Sequence, residues 1–303
     1  MSILLLMFVG MQPAGSDQTL DNQQWIVFGS FRGGDFSSSI LKVSADGGKE
    51  TSISKHPGGK PNSMDPSICP DGRILFTRGN ASHQEEIWIM DGDGGNERRL
   101  TGPAGKRWAG SHSVPTLSPD GKMLLYVKAG SRRGDTTVMV RPLEGGEPKS
   151  LGPGRYPAWS PDGKIGFMRS VNKVDELFVM ANLEAEPVRL THGKGAAYLS
   201  FSPDGGQIVY GGTNGKRLDL MIISVEGGTP RLLTDTANIS EWEPAWSPDG
   251  RLIAFSRQDP DSPDGWQKSI YIIPTEGGKA KRITSSRYND IRPAWIGASK
   301  KPN

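Results

Sequence analysis

The sequence predicts an all-β fold, a six-bladed β-propeller with four antiparallel strands per blade, closed by N- and C-terminal strands that share one blade. Three observations carry the prediction. A short segment ending in Pro-Asp-Gly recurs in register along the chain. Each copy is followed by the same succession of apolar runs and turns. The two ends of the chain supply complementary parts of one further copy.

The recurring segment reads PSICPDG at 66–72, PTLSPDG at 115–121, PAWSPDG at 157–163, LSFSPDG at 199–205 and PAWSPDG at 244–250. Its aspartates, Asp71, Asp120, Asp162, Asp204 and Asp249, are spaced by 49, 42, 42 and 45 residues. A decayed sixth copy, PAWIGAS at 293–299, puts Trp295 49 residues after Trp246. Such periods with strand-like content belong to propeller blades.

The first strand of each copy ends at the Pro-Asp-Gly turn, in which proline presets φ, aspartate suits the third position and glycine takes the positive φ that closes a hairpin. The five aspartates therefore read as turn formers rather than metal ligands. A second strand follows: ILFTR at 74–78, MLLYVK at 123–128, KIGFMRS at 164–170, QIVYGG at 207–212 and LIAFSR at 252–257. After a polar loop come third strands such as EIWIM at 86–90, TTVMV at 136–140 and DLMII at 219–223. Glycine pairs (Gly94-Gly95, Gly145-Gly146, Gly227-Gly228, Gly277-Gly278) turn the chain into short edge strands such as VRLT at 188–191 and KRIT at 281–284. QWIVFGS at 24–30 matches a second strand with no first strand before it, and PAWIGAS matches a first strand with nothing after it. Joining them completes the sixth blade and removes the free edges of an open array.

Composition narrows the function. With 36 Lys+Arg against 33 Asp+Glu the net charge is +3, so no electrostatic case for nucleic acid arises. The single cysteine, Cys69, stands where other copies have Ser and reads as a serine-sized filler. The apolar run Ile3 to Met11, followed by Gln-Pro-Ala-Gly-Ser, resembles the core of a signal peptide and is too short for a comfortable membrane span. Residues 1–18 are therefore expected to be a leader and 19–303 the propeller, in a protein that is periplasmic or secreted, not membrane-embedded and monomeric.

The repeated Pro-x-Trp-Ser-Pro-Asp-Gly segment with its following apolar strand resembles the WD40-like repeat of the TolB-type β-propellers, over about residues 24–299. TolB itself has an extra N-terminal α/β domain, so the resemblance extends to its propeller alone. Similar propellers occur in prolyl-oligopeptidase-type peptidases and sugar-acid lyases. The resemblance implies a binding scaffold.

Propeller topology puts the Pro-Asp-Gly and Gly-Gly turns on one face and the longer, dissimilar loops on the other. Binding residues collect on loops carried by a rigid scaffold, so the site is expected on the second face, at the mouth of the central channel. The position just before the first-strand motif should ring that mouth; it holds Asp65, Val114, Tyr156, Tyr198, Glu243 and Arg292, with His112, Trp242 and Asp290 nearby. Other motifs are discounted: Asp91-Gly-Asp93 reads as a hairpin turn, Asp259, Asp261 and Asp264 as a solvated loop, and His56, His83, His112 and His192 lack metal-ligand spacing. There is no G-x-S-x-G elbow. The expected function is therefore a non-catalytic binding scaffold, without cofactor, that docks a protein partner or a glycan. The alternative is a propeller-type lyase or hydrolase with a metal at the channel mouth.

Overall fold

The computed structural model describes residues 24–32, 37–55, 62–79, 84–101, 111–130, 135–215, 217–236, 239–262, 265, 267–285 and 287–297. The proposed leader, His56, His83 and Asp264 lie outside the described residues. These residues form six four-stranded antiparallel sheets and no helix, so among them no helix is long and apolar enough to cross a membrane.

The shared blade contains β1 (Trp25–Phe31), β2 (Ser38–Ser44) and β3 (Thr51–Ser52). The second has β4 (Ser63–Ile68), β5 (Ile74–Gly79), β6 (Glu85–Met90) and β7 (Arg98–Arg99). The third has β8 (His112–Leu117), β9 (Met123–Ala129), β10 (Thr136–Pro142) and β11 (Lys149–Pro153). The fourth has β12 (Arg155–Trp159), β13 (Ile165–Val171), β14 (Val174–Met180) and β15 (Val188–Arg189). The fifth has β16 (Ala196–Phe201), β17 (Gln207–Asn214), β18 (Arg217–Ser224) and β19 (Gly227–Leu232). The sixth has β20 (Glu241–Trp246), β21 (Leu252–Gln258), β22 (Lys268–Pro274) and β23 (Lys281–Arg282). The last strand, β24 (Asn289–Ile296), pairs antiparallel with β1, from Trp25 opposite Ile296 to Phe31 opposite Asn289. The chain ends thus complete one blade between them, as the sequence predicts.

The core is a ring of layers between blades. One cluster joins Ile26, Phe28, Val43 and Trp295 of the shared blade to Ala254, Ile270 and Ile272 of the sixth. Another joins Val27 and Ile40 to Ile74, Phe76 and Met90 of the second. The remaining four clusters fill the other four interfaces. Each blade is therefore apolar on both faces, which is why its second and third strands read as near-continuous hydrophobic runs.

Two repeated hydrogen-bond devices build the blade. In the Pro-Asp-Gly turn the serine hydroxyl donates to the aspartate two residues on, at 2.6 Å for Ser118 to Asp120 and for Ser247 to Asp249. The same hydroxyl accepts the backbone N–H five residues on, at 2.9 Å from Met123 and from Leu252. These carboxylates are occupied by their own turns. Cys69 keeps the turn's backbone bonds and is buried, and burial pushes its thiol up to about 12. The second device ties the edge strand to the third strand: the side chains of Ser54, Thr101, Thr191, Thr234 and Thr284 accept the N–H of Ile40, Ile87, Leu177, Leu220 and Ile270.

Candidate functional site

The inner strands β4, β8, β12, β16, β20 and β24 each present one edge to the propeller axis. That edge has no ladder partner, which is why Pro66, Pro115, Pro157, Pro244 and Pro293 are tolerated there despite lacking an N–H. In every blade the residue before this position is a β-bulge in the left-handed region. The φ values are 55° at Asp65, 52° at Val114, 51° at Tyr156, 51° at Tyr198, 59° at Glu243 and 55° at Arg292. The ladder registers skip these six positions. A bulge re-aims a side chain at a local cost in backbone strain, and here it does so six times about one axis. All six residues line a single cavity of about 180 Å³.

Arg292 dominates the cavity. Its Nε is 2.8 Å from Asp65 Oδ1 and 3.6 Å from Glu243 Oε1, carboxylates carried by the two flanking blades. Its guanidinium lies across the axis, 5.5 Å from the centroid of Tyr156 and 5.6 Å from that of Tyr198. The two tyrosine rings are 4.2 Å apart. Burial works against the guanidinium charge, but the charges of Asp65 and Glu243 outweigh it and raise its pKa above that of a free arginine. Burial, and then the charge of Glu243, pushes the Tyr198 phenol up, so it stays neutral.

Three polar residues at this site escaped the sequence reading. Thr77 donates to Asp65 Oδ2 at 3.2 Å, and Ser256 donates to Glu243 Oε2 at 2.7 Å. Both sit in second strands opposite the residue before the bulge, where the other blades carry Val127, Met168, Gly211 and Gly29. A hydroxyl therefore accompanies each ring carboxylate, a covariation visible in the aligned repeats. The third is Glu85, whose carboxyl is pushed up by burial and then by the charge of Asp65. No repeat signal marks it, because it enters from a third strand.

The other three residues expected nearby do not line the cavity. His112 packs edge-on against Tyr126, with ring centroids 5.1 Å apart, and burial followed by the charge of Lys128 lowers its imidazole to about 4. Trp242 lies under the ammonium of Lys268, 4.1 Å away. Asp290 is fully buried and accepts the Ser30 hydroxyl. These residues stand one or two positions before the bulge, where the strand keeps its ordinary pleat and the side chains pack against neighbouring elements.

Burial raises the Asp290 carboxyl to about 7, and the charge of Glu50 adds to the shift. Folded protein then keeps this proton up to about pH 7, while the unfolded chain loses it above about pH 4. Stability should fall as pH rises through that window, by a few kcal/mol at ~1.4 kcal/mol per pKa unit. Asp290→Asn is expected to flatten this slope. Thermal unfolding of both proteins from pH 4 to 8 checks it, and equal slopes would show that Asp290 ionises normally.

A family model described as the TolB beta propeller domain matches residues 115–262. An uncharacterised protein of Agrobacterium fabrum, Atu1656, is 26% identical over 72% of this chain and 74% of its own length. The Tol-Pal system protein TolB of Francisella tularensis subsp. tularensis is 25% identical over 78% of this chain, which spans 54% of that protein. Among solved structures, TolB from Acinetobacter baumannii superposes with a TM-score of 0.73 at 19% identity, covering 90% of this chain and 66% of its own. A Mycobacterium tuberculosis puromycin-hydrolysing peptidase aligns with a TM-score of 0.58 at 14% identity, over 86% of this chain and 44% of its own. At those identities the structural likeness is one of fold. The repeat and the shared closing blade make this chain a six-bladed β-propeller, and over residues 115–262 it is similar to the TolB beta propeller domain family.

Proposed function

We propose that this propeller is a non-catalytic scaffold that docks an extended segment of a protein partner on its open face, with an amino cation of that segment entering the channel mouth. The observation that carries this reading is the charge and shape of the ring. Two buried carboxylates face one guanidinium, and a stacked tyrosine pair supplies an amphipathic wall. A cavity of about 180 Å³ accommodates a side chain or a chain terminus rather than a whole metabolite. The relatedness to Tol-Pal system proteins supports a role in the cell envelope, reached by export to the periplasm or beyond. The lyase or hydrolase alternative needs imidazoles and carboxylates converging on one point. The cavity lining contains carboxylates and no histidine, and among the described residues no three His, Cys, Asp or Glu side chains are grouped to hold a metal.

Panning a random peptide display library against the full chain tests the reading, with Tyr156→Ala/Tyr198→Ala as counter-target. Enriched peptides should carry Lys, Arg or a free N-terminus and bind the variant at least about tenfold more weakly, the loss of ~1.4 kcal/mol from an aromatic wall. Peptides that bind both proteins equally, or no enrichment, would refute docking at the mouth.

A further inference from the structure

A second and larger cavity, of about 670 Å³, opens between the fourth and fifth blades. Arg155 and Ala197 line it, and each immediately precedes a tyrosine of the axial pair, so Tyr156 and Tyr198 divide the two cavities. Its charged lining is Arg155, Lys173 and Lys194 against the one carboxylate of Asp175. Arg155 Nη1 pairs with Asp175 Oδ2 at 3.2 Å. Lys173 and Lys194 are exposed and have no acidic partner among the described residues. Thr213 adds a hydroxyl, and Val174 and Leu218 an apolar wall.

The backbone carrying the lysines is specific. Val171 pairs with Val174, so β13 and β14 are joined by a two-residue loop of Asn172 and Lys173. Their φ values are 52° and 66°, the left-handed pair of a type I′ turn. Glycine is the low-strain residue at the second position. A lysine there carries a strain cost, and its side chain lines the cavity. Lys194 stands between Gly193 and Gly195, both at φ 76°, and a Cβ on Gly195 would lie 2.7 Å from Thr213 Oγ1. The β13–β14 turn of the fourth blade and the connection from β15 to β16 thus hold two ammonium groups over one cavity, beside a guanidinium that a carboxylate keeps in place.

We propose that this inter-blade cavity is a binding site for a small anionic ligand bearing phosphate or carboxylate groups. Its volume lies in the range of small-molecule sites, and its excess of cations over carboxylates selects negative charge. The site is separate from the channel mouth and does not depend on partner docking there.

Calorimetric titration of the full chain with inorganic phosphate and with citrate, at low and high ionic strength, tests the proposal. At least one anion should bind and should weaken as salt rises. Tighter citrate would identify the natural ligand class as carboxylate, tighter phosphate as phosphate. Lys173→Gly and Lys194→Ala should each weaken binding about fivefold, and the pair about twentyfold. Lys173→Gly should do so at an unchanged or higher unfolding temperature, because glycine suits the turn. No binding of either anion, or equal binding by the double variant, would overturn the proposal.

Discussion

Deletion of residues 288–303 is expected to abolish cooperative folding at 25 °C. The deletion removes β24, the inner strand of the shared blade, and leaves the inner edge of β1 without its ladder. It also removes Trp295, which is 5% exposed and packs with Ile26, Phe28, Ala254, Ile270 and Ile272 across the interface to the sixth blade. The indole Nε1 donates to Ala245 O at 3.0 Å in that neighbouring blade. Loss of a buried tryptophan alone costs about 3–5 kcal/mol, against a total stability of about 5–15 kcal/mol for an ordinary domain. The deleted strand contributes a ladder and a second blade interface besides. Circular dichroism and thermal unfolding of the truncated chain check this, with Trp295→Ala as a milder case that should still unfold cooperatively, at a lower temperature than the full chain. A truncated chain melting with the full-length protein would mean that the ring does not depend on the shared blade.

Arg292→Leu should cost about 3–5 kcal/mol, the usual penalty for leaving buried charge without its partner. The substitution keeps much of the side-chain volume and abandons Asp65 and Glu243, 6% and 8% exposed, to face each other across the ring. The loss should depend on pH in a definite direction. With the guanidinium gone, two like charges are left buried without a partner, a cost that protonation of either removes. The variant should therefore lose most stability near neutrality and recover part of it on acidification. Calorimetric unfolding at pH 5 and pH 8 distinguishes this from simple loss of packing, which would give equal deficits at the two values. A deficit below about 0.5 kcal/mol at both would show that Asp65 and Glu243 do not need Arg292 as a partner.

The chemistry of the ring also explains why part of the site was legible and part was not. The six ring positions could be named because each precedes the same motif, so alignment of the repeats alone brings Asp65, Val114, Tyr156, Tyr198, Glu243 and Arg292 into one register. Thr77 and Ser256 carry a weaker signal of the same kind, a hydroxyl in the second strand of the two blades whose ring residue is acidic. Glu85 and the inter-blade cavity carry none, since they depend on how different blades meet rather than on position within a blade. Sequence proximity groups His112, Trp242 and Asp290 with the ring, but the left-handed bulge re-aims the residue that occupies it and leaves the positions before it in ordinary strand geometry.

By itself the amino-acid sequence determined the repeat length, the number of blades, the four-strand grammar of each blade, the Pro-Asp-Gly turns and the joining of the two chain ends in one blade. All of these follow from local turn chemistry and from hydrophobic patterning that recurs along the chain. Tertiary structure alone decided which side chains meet. It set the left-handed bulge that turns six residues inward, placed Arg292 between carboxylates from its two neighbouring blades, and brought Lys173 and Lys194 over a common cavity. Such contacts join residues far apart in the chain, and their geometry depends on the angle between blades, which no window of sequence encodes.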